Sequence, residues 1–373
     1  MLIRLPTIVQ FPPGCIGLLA ALIFLSSGPT RAANDLSFKI RLQPRLDLGP
    51  IARNADGSDY LSTQDASLRR VRLEIVGRPR EGLRYIVAFA ADRWDQRGRN
   101  PSVILGYALA NYRFTPALNL QFGLAKLPYS RGLLASSSRL ILPERAASAD
   151  LAGRFFKFFA PHLVLHGRLA AGTIAYHLTL SDGLQPGDSD RAFSGQTVAQ
   201  AGDPVTALRV EFSPPDWIEK RMGNAHLGQG QHLTLGLNAV RQTDLKLTNL
   251  APESRLLLGA DLSFHQQNLS LAAEYLRLQR DNAIEITTTG WYAQAGYYFS
   301  SRRLEPALRF GQIDKGLPNS STRIFTTALN WYIEAHSFKF QTALTHHKFD
   351  QNAREVTDKD SKTTLLIQNQ IYF

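Results

Sequence analysis

The feature that most limits the possible folds of this chain is a repeated alternation of apolar and polar side chains. In "FKIRLQPRLDL" (residues 38–48) Phe, Ile and Leu occupy one face while Lys, Arg, Gln and Asp occupy the other, with Pro44 on the apolar face. The last residues, "LLIQNQIYF", alternate in the same way and end on Phe373. A period of two is the spacing of a β-strand with two chemically different faces. The sequence therefore predicts an all-β protein.

Sixteen segments show this alternation, and each is predicted to form one strand. They cover residues 36–48, 65–78, 82–92, 101–115, 117–126, 160–170, 172–182, 204–213, 231–243, 253–265, 267–280, 287–300, 302–313, 322–335, 336–348 and 361–373. Short turns between them alternate with long or polar connections at 49–64, 127–150, 183–203, 314–321 and 349–360. This arrangement is typical of an antiparallel up-and-down β-barrel whose two ends differ. The connection at residues 214–230 is long where the pattern predicts a short turn.

The even number of strands allows the last strand to pair with the first, which would remove both sheet edges. A lipid bilayer demands such closure, because no water satisfies backbone polar groups in its hydrocarbon core. Strands of about ten to fourteen residues match a tilted crossing of a bilayer. Aromatic clusters lie near strand ends, as in "WYAQAGYYF" and "NWYI". These features favour a transmembrane barrel over the alternative, a soluble all-β sandwich or propeller.

The N-terminus predicts export. Arg4 precedes the apolar run "IGLLAALIFL" (residues 16–25), which is too short to span a bilayer, and the small residues of "TRAA" follow it. We therefore predict a cleaved signal peptide at residues 1–32 and a single barrel domain at residues 33–373. The one Cys of the chain, Cys15, lies in the signal peptide. The mature chain is accordingly predicted to contain neither a disulfide nor a thiolate metal site.

Several blocks of the mature chain resemble the phosphate-selective porin O and P family. They occur in order as "SLRRVRLEIVGRP", "GLAKLPYSRGLLASSSRLILPERAASADLAGRFF", "LRVEFSP", "EPALRFGQID" and "LNWYIEAHSFKFQTALTHH". The resemblance implies a sixteen-stranded barrel in the Gram-negative outer membrane, commonly a homotrimer, whose third external loop folds inward and narrows the channel. The chain departs from the family's pattern at Gly132 and Leu133, where an acidic residue often follows Ser-Arg.

The polar faces of the strands are predicted to line a water-filled lumen. The first two strands and the last strand form a mainly basic wall, with Lys39, Arg41, Arg45, Arg70, Arg72 and Lys362 against Asp47 and Glu74. Strands ten to fourteen form a more acidic wall, with Asp261, Glu274, Glu305 and Glu334 against Arg303 and Arg309. Charges on the strands therefore nearly cancel around the lumen.

The connection at residues 127–150 carries a further positive charge. Arg131, Arg139 and Arg145 are predicted to line the constriction, because a planar guanidinium can pair with two oxygens of a phosphate or carboxylate. The alternative is that Glu144 and Arg145 only tie the loop to the barrel. On that alternative, exposed arginines are solvated or contact lipopolysaccharide phosphates.

Other functions fit the sequence less well. The net charge of +11 would suit nucleic acid, but no basic helix or aromatic platform is apparent, and export removes that partner. His177 and Asp182 lie on opposite faces of one predicted strand, and no Gly-x-Ser-x-Gly spacing occurs, so no hydrolase is predicted. His346 and His347 also face opposite ways and make a poor metal pair. The sequence therefore predicts no enzymatic activity, cofactor or metal site.

These observations predict an outer-membrane porin that forms a water-filled diffusion channel for small hydrophilic solutes. A weak to moderate preference for anions is expected, with phosphate as one candidate. The predicted partners are small anionic or polar solutes, outer-membrane lipid and lipopolysaccharide, and further copies of the chain in a homotrimer. The alternative is a barrel without a channel that serves as a binding or adhesion scaffold.

Overall fold

The computed structural model describes residues 35–49, 64–94, 103–157, 159–184, 199–220, 222–248, 250–281, 285–353 and 360–373. The strands are β1 Asp35–Leu48, β2 Gln64–Arg80, β3 Leu83–Ala90, β4 Ile104–Thr115, β5 Leu118–Lys126, β6 Phe159–Leu169, β7 Ile174–Ser181, β8 Ala199–Ala201, β9 Val205–Phe212, β10 Gln231–Leu247, β11 Glu253–Gln266, β12 Leu269–Asp281, β13 Glu285–Tyr297, β14 Leu304–Asp314, β15 Ser321–Glu334, β16 Phe338–Phe349 and β17 Ser361–Tyr372. Two helices, α1 Arg131–Leu134 and α2 Ala147–Phe155, lie between β5 and β6. The predicted signal peptide, residues 1–32, lies outside the described residues.

Sixteen of these strands form one closed antiparallel barrel, which confirms the predicted architecture and strand count. Each strand pairs with its neighbours in chain order, except that β7 pairs directly with β9. The additional strand β8 pairs with the end of β10, at Lys246 and Leu247. It was not predicted, because three residues are too few to show an alternation.

The barrel closes between β1 and β17, as the amphipathic C-terminal segment predicts. Leu42 pairs with Ile371 and Leu46 with Ile367 in this antiparallel ladder. The Ile40 amide donates to the Phe373 carbonyl at 2.7 Å, and the Phe373 amide donates to the Ile40 carbonyl at 3.1 Å. Pairing therefore continues to the last residue, which leaves no free edge at the seam.

The two faces of the barrel have the polarity expected of a membrane protein. On β10, Leu235 and Leu237 point outward and are 45% and 46% exposed, whereas Thr234 and Asn238 point inward and are buried. This arrangement inverts that of a soluble barrel and presents an apolar belt to lipid. No helix among the described residues is long and apolar enough to span a membrane.

One irregularity on β2 changes which side chains reach the interior. The β1–β2 ladder shifts between Gln43, which pairs with Arg70, and Pro44, which pairs with Leu68. Arg69 is therefore an extra residue, a β-bulge, opposite a proline that has no amide hydrogen to donate to the ladder. The bulge allows neighbouring arginines, Arg69 and Arg70, both to turn into the lumen.

Two connections enter the barrel from opposite ends. The inner loop, residues 127–157 between β5 and β6, comes from the end with long connections, and its Ile141 and Leu142 are buried. The inward fold of this loop is therefore confirmed. The second inner segment, residues 213–230 between β9 and β10, comes from the end with short turns, and its Ala225 is fully buried. The unexpected length of this connection follows from its path into the lumen.

Candidate functional site

The inner loop crosses the lumen and is held by polar side chains of the opposite wall. Strands β14 to β17 donate hydrogen bonds to its backbone carbonyls: Arg309 to Glu144 at 2.9 Å, Asn330 to Ile141 at 2.8 Å, Lys339 and Gln341 to Leu140 at 3.2 and 3.3 Å, and Gln370 to Ser138 at 3.2 Å. The backbone carbonyls of a loop in irregular conformation lack hydrogen-bond donors within the loop, and the side chains of the strands supply these donors. The loop is thus fixed across the channel.

The start of the inner loop packs against β12. The hydroxyl of Ser130 caps α1 by accepting from the Leu133 amide at 3.3 Å, and it donates to the Glu274 carboxylate at 3.0 Å. A Cβ at Gly132 would lie 2.6 Å from Ala149 Cβ and 2.9 Å from Glu274 Oε2. Only glycine fits this contact. The chain has Gly132 where the family often has an acidic residue after Ser-Arg. In the structure, Glu274 of β12 places a carboxylate beside this position.

Three arginines of the seam strands converge on Glu144 of the inner loop. Arg69 donates to Glu144 Oε2 at 2.9 Å and also contacts Oε1, Arg70 donates to Oε2 at 3.4 Å, and Arg45 contacts Oε1. Burial alone would raise the pKa of the Glu144 carboxyl, but Arg69, Arg70 and Arg45 outweigh burial and hold that pKa well below its usual range. Glu144 is therefore ionised and serves as the shared counter-charge of the seam wall.

The other predicted residues of the seam wall also point inward. Arg41 is buried, donates to the Ser137 hydroxyl of the inner loop at 2.7 Å and lies 3.7 Å from Glu74. Arg72 donates to Asp92 at 3.0 Å, and Lys39 is paired in register with Glu74 and is half-buried. Arginine therefore dominates this wall, and Arg41, Arg45, Arg70 and Arg72 are each bound to protein acceptors.

The three predicted loop arginines occupy different environments. Arg131 is fully buried and binds both oxygens of Glu219 in the second inner segment, at 2.7 and 2.9 Å. The carbonyl of Arg139 accepts from the Asn224 and Ala225 amides at 3.0 and 2.9 Å, which also joins the loop to that segment. Arg145 is half-buried and lines a cavity. Arg131 therefore lies in a buried ion pair and Arg145 at the cavity, so these two guanidinium groups do not share one site.

An arginine-rich cavity of about 440 Å³ lies between the inner loop and the seam side of the barrel. Its charged lining comprises five arginines and two carboxylates: Arg45, Arg69, Arg93, Arg145, Arg309, Glu144 and Asp150. We call it the upper cavity. A second cavity of about 470 Å³ lies near the short-turn end, where Arg113, Arg168 and Glu211 contribute to its lining.

Alternation alone does not predict some of the charged residues inside the barrel. Strict alternation along β2 would point the Arg69 side chain outward, and it points inward because of the bulge. Arg93 follows β3 in a connection, where no periodicity applies. Glu219 lies in the connection that the strand pattern did not explain. A surplus of arginines within a few residues, as in "SLRRVRL", is the one signal that could have suggested Arg69.

Comparisons with known proteins agree with this architecture. Residues 38–373 match the model of a family described as phosphate-selective porin O and P. An uncharacterised protein of Aquifex aeolicus (strain VF5) is 32% identical over 376 residues, which cover 91% of this chain and 87% of that protein.

Solved porin structures share the fold at low sequence identity. An anion-selective porin from Comamonas acidovorans superimposes with a TM-score of 0.65 at 11% identity, covering 91% of this chain and 100% of that one. OmpF of Salmonella typhi gives 0.62 at 11%, covering 91% and 98%. The outer-membrane channel DcaP of Acinetobacter baumannii gives 0.61 at 11%, covering 93% and 100%. Family and fold together indicate a channel rather than an enzyme.

Proposed function

Because this chain belongs to the phosphate-selective porin O and P family and forms a porin channel in the Gram-negative outer membrane, we propose that it passes small hydrophilic solutes with a weak to moderate preference for anions. The observation that carries this proposal is the surplus of five arginines over two carboxylates around the upper cavity. No catalytic role is proposed for any residue.

The upper cavity favours anions because its charges lie close to any solute within it. At an effective dielectric constant of about 20, two unit charges about 4 Å apart interact by ~4 kcal/mol. Charges separated by more than about 8 to 10 Å are largely screened at ordinary salt concentrations. A solute in the upper cavity therefore interacts more strongly with the arginines that line it than with the paired charges elsewhere on the strands.

Arg145 is the loop arginine best placed to contact a permeating anion. It donates to the carbonyls of Gly132 and Ala135, at 3.0 and 2.7 Å. Those acceptors are neutral, so these contacts orient the guanidinium without cancelling its charge. Arg45 and Arg69, by contrast, share Glu144. We propose that Arg145 contributes more to ion preference than the strand arginines, which are paired with carboxylates, and that Arg131 and Arg139 are positioning residues of the loop.

Reversal potentials across a salt gradient test this proposal with purified protein in planar bilayers. Neutralising Arg145 (R145Q) should shift the reversal potential toward cations and leave the barrel folded. The matched control is R277Q, which removes the same charge from an exposed site on β12 whose neighbours Tyr275 and Leu271 face outward. An unchanged reversal potential in R145Q, or an equal shift in R277Q, would contradict the proposal.

A second set of variants separates the loop from the strands. The combined neutralisation of Arg131, Arg139 and Arg145 should change ion preference more than neutralisation of the seam residues Arg41, Arg45, Arg70 and Arg72. The opposite ranking would assign selectivity to the seam wall. Persistent electrical silence of the folded wild-type protein would instead favour a binding or adhesion scaffold.

Phosphate is proposed as one of the permeating anions, since arginine forks pair with its oxygens. Inorganic phosphate should then reduce the chloride current through the wild-type channel in a concentration-dependent way, and R145Q should weaken this block. A chloride current that is indifferent to phosphate would leave a general anion preference without phosphate binding.

The maturation and assembly of the chain are proposed on the sequence and the family. We propose cleavage of residues 1–32, so that N-terminal sequencing of the mature protein begins at residue 33. We also propose a homotrimer in contact with outer-membrane lipid and lipopolysaccharide. Light scattering of the detergent-solubilised protein should give three times the mass of one chain, and a monomeric mass would contradict it.

A further inference from the structure

Three histidines and a carboxylate meet at the short-turn end of the barrel. His226 belongs to the second inner segment, His232 lies at the start of β10, and His265 lies at the end of β11. The ring centres of His226 lie 4.6 Å from His232 and 4.5 Å from His265, and those of His232 and His265 are 6.0 Å apart. A carboxylate oxygen of Glu219 and one nitrogen each of His226 and His232 all lie within 4.8 Å of one another.

The strand histidines are held in orientations that leave one nitrogen of each for another partner. His232 Nε2 lies 2.7 Å from the Ser263 hydroxyl, and His265 Nδ1 lies 3.0 Å from the Ser270 hydroxyl. His265 Nε2 is buried and makes no other side-chain hydrogen bond among the described residues, and the backbone of Gln229 and Leu269 lies beside this ring. A ring nitrogen anchored by a hydroxyl fixes the tautomer and the direction of the other nitrogen, as in metal-bound histidines.

His226 is also suited to donate a lone pair. It is half-buried, so the cluster retains access to solvent from the second inner segment. Its ring centre lies within 4.6 Å of the ring centres of both strand histidines, so a single ion could contact all three rings.

The spacing of the rings suits a common ion. Zn²⁺ binds imidazole nitrogen at about 2.0 to 2.1 Å in tetrahedral geometry, which places the ring centres about 3 Å from the ion and about 5 Å from one another. The three observed separations lie on both sides of that value. Nitrogen ligands with one carboxylate suit Zn²⁺ and neighbouring divalent transition metals rather than Mg²⁺ or Ca²⁺.

We propose that His226, His232 and His265, with Glu219, form a binding site for a divalent transition-metal ion such as Zn²⁺ that ties the second inner segment to the barrel wall. The cluster joins a connection to two adjacent strands, so an ion there would crosslink them. Glu219 also binds Arg131 of the inner loop, so the site lies one contact from the loop that narrows the channel. This inference does not depend on the anion preference proposed above.

This site cannot be identified from the sequence alone. Its four residues come from a connection and two strands, with no two of them at a spacing typical of metal ligands. His232 and His265 are brought together as directly paired residues of the β10–β11 ladder. The prediction that the chain has no metal site rested on the lack of cysteine in the mature chain and on His346 and His347, which lie elsewhere on β16.

The test is Zn²⁺ binding by the full mature barrel in detergent, purified without a polyhistidine tag and stripped with chelator. We expect about one Zn²⁺ per chain for the wild type. The double variant H226Q/H265Q should lose this ion or bind it more than about tenfold more weakly. The matched control H346Q/H347Q removes two imidazoles from β16 and should retain the wild-type stoichiometry and affinity.

Three results would overturn the proposal: no Zn²⁺ bound by the wild type, equal loss in both double variants, or unchanged binding in H226Q/H265Q. Loss in both double variants, or unchanged binding in H226Q/H265Q, would place the ion elsewhere. The absence of Zn²⁺ from the wild type would mean that the three imidazoles pack without an ion. If H226Q/H265Q does not fold, H226Q alone serves, since it alters a connection rather than a strand. Substitution by Co²⁺ on the wild type gives an independent readout, because a tetrahedral nitrogen site produces visible absorption bands and their absence would contradict the assignment.

Discussion

The two sides of the barrel neutralise their buried arginines in different ways. On the β9–β11 side, Arg209 binds Asp261 at 2.6 and 3.0 Å and Glu211 at 2.9 Å, so its counter-charges belong to the wall itself. On the seam side, Arg69 and Arg70 depend on Glu144 of the inner loop. The first wall is electrostatically complete without the loop, whereas the second is complete only when the loop is docked.

This difference links the position of the inner loop to the electrostatics of the channel. Burying a charge without a partner costs several kcal/mol, so the seam arginines favour the docked loop. The same arginines outnumber the carboxylate they share, which leaves the upper cavity positive. One set of side chains therefore fixes the loop and sets the sign of the field.

The largest effect is expected from removing Phe373, which would break the seam itself. The truncation deletes the last backbone hydrogen bonds between Phe373 and Ile40 and an outward aromatic that is 67% exposed. We expect severalfold less folded barrel in the outer membrane, measured by heat-dependent migration on gels. The control F373Y keeps both the backbone and the aromatic ring and should assemble. Normal insertion of the truncated chain would show that closure does not need its last residue.

The second largest effect is expected on the β9–β11 side of the barrel, where carboxylates of the wall itself neutralise Arg209. D261N should destabilise the barrel by about 3 kcal/mol, because Arg209 and Asp261 are both fully buried and Arg209 would keep only Glu211. Unfolding in detergent by heat or denaturant measures this loss. The control D244N alters an exposed residue at φ 51°, a conformation that asparagine tolerates. Equal destabilisation by both variants would remove the contrast between the two walls.

A smaller effect is expected at the loop carboxylate. E144Q should weaken loop docking by about 1 to 3 kcal/mol, less than a fully buried pair, because the Glu144 side chain is 34% exposed. Single-channel recordings should show larger or noisier conductance and a stronger anion preference. D150N removes a carboxylate from the same cavity and should change ion preference without the noise. Quiet channels in E144Q would mean that other contacts hold the loop.

The smallest effect is the pH dependence of the same contact. The pKa of Glu144 in the folded protein lies below its ordinary value of 4.5. A carboxyl with a depressed pKa contributes stability that is present above the ordinary pKa and is lost as the pH falls through the folded one. Conductance should therefore be steady from neutral pH down to about 4.5 and become noisier only in more acidic solution. E144Q should lack this transition, and a transition near neutral pH would contradict the assignment.

The strand pattern predicted the barrel closely. The predicted segment 36–48 corresponds to Asp35–Leu48, and 253–265 corresponds to Glu253–Gln266. The tenth strand extends past the predicted 231–243 to Leu247, because its end pairs with the short β8. Side-chain alternation is a local property, and a bilayer outside with water inside imposes it on almost every strand.

The candidate site was only partly predictable. Alternation predicts that Arg41, Arg45 and Arg70 point inward, and in the structure each of them contacts the inner loop. The partners of these residues do not follow, because they lie on loops that cross the lumen. Arg131 shows the limit: it was predicted to line the constriction, and its place in a buried pair depends on a segment more than 80 residues away, at Glu219.

The sequence by itself determined that the chain is a closed transmembrane barrel, which sixteen strands form its wall and which strand faces are polar. Only the tertiary structure decided that Glu144 serves the seam arginines, that the bulge turns Arg69 inward, and that residues 213–230 return into the lumen, where His226 meets His232 and His265. The alternation of apolar and polar residues reflects whether each side chain faces lipid or the water-filled lumen. The contacts within the lumen depend on how two aperiodic connections pack against each other, and no local pattern records that.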